Sequence, residues 1–150
     1  MTLLLATVDD ARTLAAIDAV CFSEPWSERS FAEALTNPSY TFFRAEEEGK
    51  TVGYIGMTAV PEEADVTNVA VLPAFRRNGI ARRLLERLLD EAETKGILCV
   101  HLEVRESNAA ARGLYESFGF TVDGRRKRYY RLPTEDAILM TRRSSQATDC

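Results

Sequence analysis
The chain has 150 residues, of which 45% are apolar and 28% charged, and it carries a net charge of −4. This is the size and balance of one soluble domain, which excludes a disordered chain and leaves no room for a second large domain. No apolar run approaches the roughly 18 residues that cross a bilayer, and Met1–Leu5 has no basic flank, so neither a membrane span nor a secretory signal is expected.

In chain order, Leu3–Thr7 reads as a short apolar strand. Asp9 or Asp10 then caps a helix in which Leu14, Ile17 and Cys21 recur at helical spacing. Glu24-Pro25-Trp26 breaks it. Ser27 starts a second helix with Phe31, Ala34 and Leu35 on one face, and Asn37-Pro38 ends that. Three strand-like runs follow, Tyr40–Glu46, Thr51–Val60 and Asp65–Leu72, the first two joined by a turn at Glu46–Lys50. After Pro73, Ile80, Ala81, Leu84, Leu85, Leu88, Leu89 and Ala92 form one apolar stripe, and Lys95-Gly96 closes that helix. Ile97–Val104 reads as a strand with Leu98, Val100, Leu102 and Val104 facing one way. Cys99, His101, Glu103 and Arg105 face the other. Ser107 or Asn108 caps a helix bearing Ala111, Leu114, Tyr115 and Phe118 on one face, and Gly119 ends it. Phe120–Asp123 and Ala137–Arg142 are the last strands. The order β-α-α-β-β-β-α-β-α-β-β predicts an α/β (α+β mixed) domain over residues 1–143, its mixed sheet covered by helices on both faces, with 144–150 as a flexible tail.

Charge is divided unevenly. Residues 1–65 hold 12 acids and 4 bases, a net −8, and residues 66–150 hold 11 acids and 15 bases, a net +4. Four of the bases, Arg76, Arg77, Arg82 and Arg83, stand at the start of the strongest helix, with no acid between Pro73 and Leu85. A helix start is partially positive and ordinarily favours Asp and Glu. Arginines there make sense if an anion occupies that end, and Gly79 with small Ala81 would let backbone approach a phosphate. On spacing alone the cluster reads equally as a solvated basic face. The chain has neither GxGxxG nor GxxxxGK[ST], which excludes a dinucleotide fold of the Rossmann kind and a P-loop.

Arg76-Arg77-Asn78-Gly79-Ile80-Ala81 resembles the [RQ]-x-x-G-x-[GA] acyl-CoA signature of the GNAT N-acetyltransferases. Leu102–Ala111 with Leu114–Phe120, Phe22–Ser27, Tyr129-Tyr130 and Glu135-Asp136-Ala137 resemble its RimI-type branch, whose members acetylate the N-terminal alanine of a small-subunit ribosomal protein. Ala81 stands where the branch often has Gly. The resemblance implies the GNAT fold, a mostly antiparallel sheet of about seven strands. It implies direct acetyl transfer from acetyl-CoA to a protein α-amino group in a ternary complex. Glu103 corresponds to the base and Tyr115 to the acid. Arg76, Arg77, Asn78, Gly79, Ile80, Ala81 and Arg82 would hold the diphosphate. Asn108 would touch the cofactor or simply cap its helix, and the backbone of Val69, Ala70 and Val71 would bond the pantetheine arm. On the acceptor side Glu24, Glu28 and Trp26 would receive a basic peptide. Arg125–Arg131 with Tyr129 and Tyr130, in the turn between the last two strands, would border its groove.

Outside that resemblance the residues have ordinary readings. A strand-end Glu103 is usually solvated, and a Tyr115 on an apolar face is usually core. Cys21, Cys99 and Cys150, odd in number and scattered, argue against a disulfide framework and for a reducing, cytoplasmic setting. Cys21 and Cys99 are expected to be core thiols and His101 structural, and one histidine gives no basis for a metal site. Neither nucleic acid nor membrane is expected as a partner. The alternatives are an acetyltransferase for another amine (a lysine side chain, a polyamine, a small molecule) and an acyl-CoA-binding module without turnover.

Overall fold
Alternating apolar residues in the first half build an antiparallel ladder. In the computed structural model, which describes residues 1–147 and 150, β1 (Thr2–Leu5) pairs with β2 (Tyr40–Glu47) and β2 with β3 (Lys50–Val60). With β4 (Glu63–Val71), β5 (Cys99–Arg105), β6 (Thr121–Tyr130) and β7 (Glu135–Arg143), the strand order is β1-β2-β3-β4-β5-β7-β6. The β4–β5 pair is parallel, so the chain must cross over between them, and α3 (Ile80–Thr94) lies in that crossover. The β5–β7 and β6–β7 pairs are antiparallel. This is the mixed sheet that the element order predicts, and the mostly antiparallel sheet of about seven strands that the resemblance implies. The other helices are α1 (Ala11–Cys21), α2 (Glu28–Leu35) and α4 (Ala109–Ser117). None is long and apolar enough to cross a membrane.

The structure forms two compact units. The first comprises Met1–Thr58 and Thr67–Glu91. Its core joins Leu14 and Ile17 of α1, Phe31 and Ala34 of α2, and Phe42, Tyr54 and Ala70 of the sheet. Phe31 meets Tyr54 edge-on at 5.5 Å and Trp26 at 5.1 Å. Gly56 faces the ring of Phe42, where a Cβ would stand 2.3 Å from a ring carbon. Ser27 caps α2 by accepting the Ser30 N–H at 3.0 Å, as its sequence position predicts. In α3, Ile80, Leu84, Leu85 and Leu88 are buried. Each such side chain contributes about 1.5–3 kcal/mol, against about 0.3–1 kcal/mol for each misplaced charge at the helix start. The apolar stripe therefore secures the helix despite its arginines.

The second unit comprises Ala59–Val66 and Ala92–Cys150. β5 pairs with β7 along its whole length, from Cys99 opposite Arg143 to Arg105 opposite Ala137. Glu63–Asp65 of β4 lie parallel to Cys99–His101. Gly119, at a φ of 91°, ends α4 and lets the Phe120 N–H return to Tyr115 O at 3.1 Å.

Three readings of the sequence need correction. First, β1 stops at Leu5 rather than Thr7, because the Thr7 N–H turns to Asp10 Oδ2 at 2.8 Å and a tight helical turn at Val8–Asp10 precedes α1. Second, the basic run is not confined to a turn: β6 continues from Thr121 to Tyr130, and only Arg131–Thr134 remain between the strands. As an edge strand with mostly exposed residues it shows no apolar alternation, and ionic bonds such as Arg125 to Asp136 (2.9 Å) and Glu106 (2.8 Å) tie it down. Third, Cys99 is not a core thiol but is joined to Cys150. Leaving β7 beside Cys99, the chain bonds its Ser144 N–H to Leu98 O at 2.8 Å, and so returns the last cysteine to β5. Thr148 and Asp149, part of the expected tail, lie outside the described residues.

Candidate active site
In the first unit, β4 runs into Leu72 and a tight turn at Pro73–Phe75. Arg76 folds back so that its Nε donates to Val71 O at 2.9 Å, and Cys21 Sγ approaches the same carbonyl at 3.5 Å. The backbone then turns left-handed twice, at Arg77 (φ 67°) and Gly79 (φ 75°), with Asn78 Nδ2 donating to Phe75 O between them. Arg83 N–H donates to Gly79 O at 3.1 Å, so Ile80, Ala81 and Arg82 fall in the first turn, where a helix presents its spare N–H groups. No acid occupies that turn. Space in front of Gly79 is open, with nothing within 4 Å of where a Cβ would stand. A left-handed turn, an open glycine, basic side chains and a helix start are the features that accept a diphosphate. Val69 is half-buried and Ala70 buried on the adjoining strand. Glu24 is exposed before α2. Trp26 is half-buried against Phe31 and Phe42.

The second unit gathers the groups expected to handle protons. Glu103 is exposed on β5, opposite Leu139. Tyr115 is only 8% exposed, its ring 5.7 Å from that of Phe120, and burial pushes its phenol up to about 12. It therefore stays protonated at any physiological pH. Tyr130 is half-buried with its phenol raised, first by burial and then by the charge of Glu103, with smaller contributions from Tyr129 and Tyr115. These groups share one electrostatic neighbourhood. Tyr129 stands edge-on to Tyr130 at 5.1 Å and is more exposed. Asn108 caps α4 by accepting the Ala111 N–H at 3.1 Å, as the simpler of its two readings predicts.

Arg105 was missed as a site residue. It lies two positions beyond Glu103 on β5, its guanidinium 4.5 Å over the ring of Tyr130. It donates to Arg131 O at 2.9 Å, to Pro133 O at 3.0 Å and to Glu135 at 3.2 Å. Glu135 in turn accepts the Ser107 N–H ahead of α4, and Ser107, through its side chain first and then this N–H, does more than Arg105 to hold its carboxyl below the usual range. One side chain thus braces the β6–β7 turn, the ring of Tyr130 and the approach to α4. Strand alternation put Arg105 on the Glu103 face, but nothing local to it announced acceptors 26 and more residues away.

His101 has the structural setting expected of it, 2.8 Å from Glu63 and 2.8 Å from Thr141. Among the described residues, no group of three His, Cys, Asp or Glu side chains is placed to hold a metal ion.

The model of the acetyltransferase (GNAT) family matches residues 11–120. A relative from Escherichia coli K12, the [ribosomal protein bS18]-alanine N-acetyltransferase, is 44% identical over 120 residues, 77% of this chain and 79% of its own. The N-alpha-acetyltransferase RimI of Mycobacterium tuberculosis is 40% identical over 141 residues, 90% of this chain and 87% of its own. The crystal structure of the ribosomal-protein-S18-alanine N-acetyltransferase from Escherichia coli matches 99% of this chain and 96% of its own with a TM-score of 0.91 and 37% identity.

Proposed function
This chain belongs to the GNAT family and is an acetyl-CoA-dependent N-acetyltransferase, and from that premise we propose that its acceptor is the α-amino group of a protein beginning with alanine, a small-subunit ribosomal protein. Two relatives' names support the acceptor: the Escherichia coli protein is named for the alanine of ribosomal protein bS18, and the Mycobacterium tuberculosis protein for N-alpha-acetylation. The observation that carries the chemistry is the company of an exposed carboxylate, Glu103, and a buried, protonated phenol, Tyr115, in the electrostatic surroundings of Tyr130.

Residues 1–143 act as one catalytic domain. Arg76, Arg77, Asn78, Gly79, Ile80, Ala81 and Arg82 hold the diphosphate of acetyl-CoA, and the Val69–Val71 backbone aligns its pantetheine arm. Asn108 caps α4 and supports the same ligand. Glu24, Trp26, Tyr129 and Tyr130 are the residues that receive the peptide. An α-amino group has a pKa of about 8 and is mostly protonated at neutral pH. The neutral fraction is the nucleophile, and as its nitrogen attacks the acetyl carbonyl Glu103 takes a proton from it and later releases it to solvent. As the carbon–sulfur bond breaks, Tyr115 gives its proton to the departing sulfur and is later reprotonated from solvent. The products are the acetylated amine and free CoA.

The test is incubation with acetyl-CoA and peptides that differ at their first residue and carry an internal lysine, with mass spectrometry locating the acetyl group. The reading predicts acetyl on the terminal nitrogen, fastest for alanine. Acetyl on lysine alone overturns it.

A further inference from the structure
Asp18 is a carboxylate that the mechanism above does not use, yet it is only 1% exposed, on the last turns of α1. Burying a carboxylate is unfavourable unless donors face both of its oxygens. Here both are met. The hydroxyl of fully buried Tyr54 donates to Oδ1, and the backbone N–H of Trp26 donates to Oδ2 at 2.9 Å. The buried side chain of Asn68, on β4 next to Val69, favours ionisation of the same Tyr54 phenol, against burial and the charge of Asp18. Burial raises the Asp18 carboxyl while these two donors oppose the rise.

The end of α1 does not need this side chain, since the Phe22 N–H already closes it on Asp18 O at 2.9 Å. In the core one oxygen serves the buried Tyr54 hydroxyl, which an aliphatic side chain would leave without an acceptor. The other oxygen holds the Trp26 N–H, a bond that neither the helix end nor the core requires. Trp26 ends the Glu24-Pro25-Trp26 segment, in which Pro25 already restricts the backbone. Fixing one N–H therefore fixes the direction of Glu24 two residues before it.

We propose that Asp18 is a positioning residue of the acceptor side: its buried carboxylate sets the Glu24–Trp26 segment in the conformation that receives the peptide N-terminus. The inference rests on the reading of Glu24 and Trp26 as acceptor contacts. Trp26 is the single tryptophan, so its emission reports on the segment without any turnover.

Asp18→Leu keeps the volume and removes both acceptors. Asp18→Asn can still accept from Trp26 while its amide turns to the Tyr54 oxygen. In Asp18→Leu, Trp26 emission should shift to the red and KM for an alanine-first peptide should rise about tenfold, the effect of one lost bond to a charged acceptor. In the same variant kcat and the Kd for acetyl-CoA stay unchanged, and Asp18→Asn restores both emission and KM. A folded Asp18→Leu with wild-type emission and KM overturns the proposal, as does equal weakening of peptide and acetyl-CoA, which would mean general destabilisation. If Asp18→Leu does not fold, amide hydrogen exchange on the wild-type protein decides: strong protection of the Trp26 N–H supports the proposal, and exchange at the rate of an exposed loop sinks it. Failure of the acceptor reading looks different, because then the wild type itself leaves every peptide N-terminus unmodified.

Discussion

At the residue scale, the proposed chemistry rests on two groups in opposite environments. A base that meets an incoming amine must be reachable, and Glu103 is exposed. An acid must keep its proton until the sulfur leaves, and burial holds the Tyr115 phenol at about 12. A protonated Tyr115 throughout the neutral and mildly alkaline range means that kcat/KM should rise with pH as the amine deprotonates, near its pKa of about 8, and should show no falling limb before the phenol ionises. Replacing Tyr115 by Phe should lower kcat by roughly 10²–10⁴-fold and leave the rising limb in place. Steady-state rates between pH 6 and 10 check this, and a falling limb near pH 9 in a stable wild type would refute the assignment. Glu103 and Tyr115 could be picked out in the sequence because they stand in one contiguous block of matched residues. Arg105 stands in the same block, yet its role depends on carbonyls of Arg131 and Pro133, which only the fold brings to it.

At the element scale, the start of α3 combines cost and use. Its arginines oppose the helix dipole, and the buried leucines of the opposite face outweigh them. An anion at that end would turn the same arginines from a cost into a contribution. Changing Arg77 and Arg82 together to Ala should therefore weaken acetyl-CoA binding severalfold and flatten its dependence on salt, with thermal stability held or improved. Calorimetric titration at two ionic strengths measures this, and unchanged affinity would remove the diphosphate from this loop. Helices α2 and α3 were legible because each has an apolar face at helical spacing and a clear stop. β6 was not. Its Asp123–Arg128 stretch is charged and exposed, and the pairing that makes it a strand comes from β7, twenty residues away at the Thr121–Thr141 end.

At the scale of the whole molecule, element order was enough to anticipate a mixed sheet, because a meander followed by a strand–helix–strand unit leaves few ways to hydrogen-bond every strand. The C-terminal return was not legible, since cysteines separated by 51 positions carry no local sign of pairing. With Cys99 and Cys150 joined and Cys21 free, alkylation of the unfolded, unreduced protein should label one cysteine, and reduction should expose all three. Three labels without reductant would mean that the bond does not form. The proposed acetyl transfer depends on Glu103 acting in turnover rather than in binding, and one variant decides it. Glu103→Gln, assayed for peptide acetylation and titrated with acetyl-CoA in the same preparation, should lose about 10²-fold or more in kcat at neutral pH while its affinity for acetyl-CoA stays that of the wild type. Wild-type turnover in that variant would contradict the account.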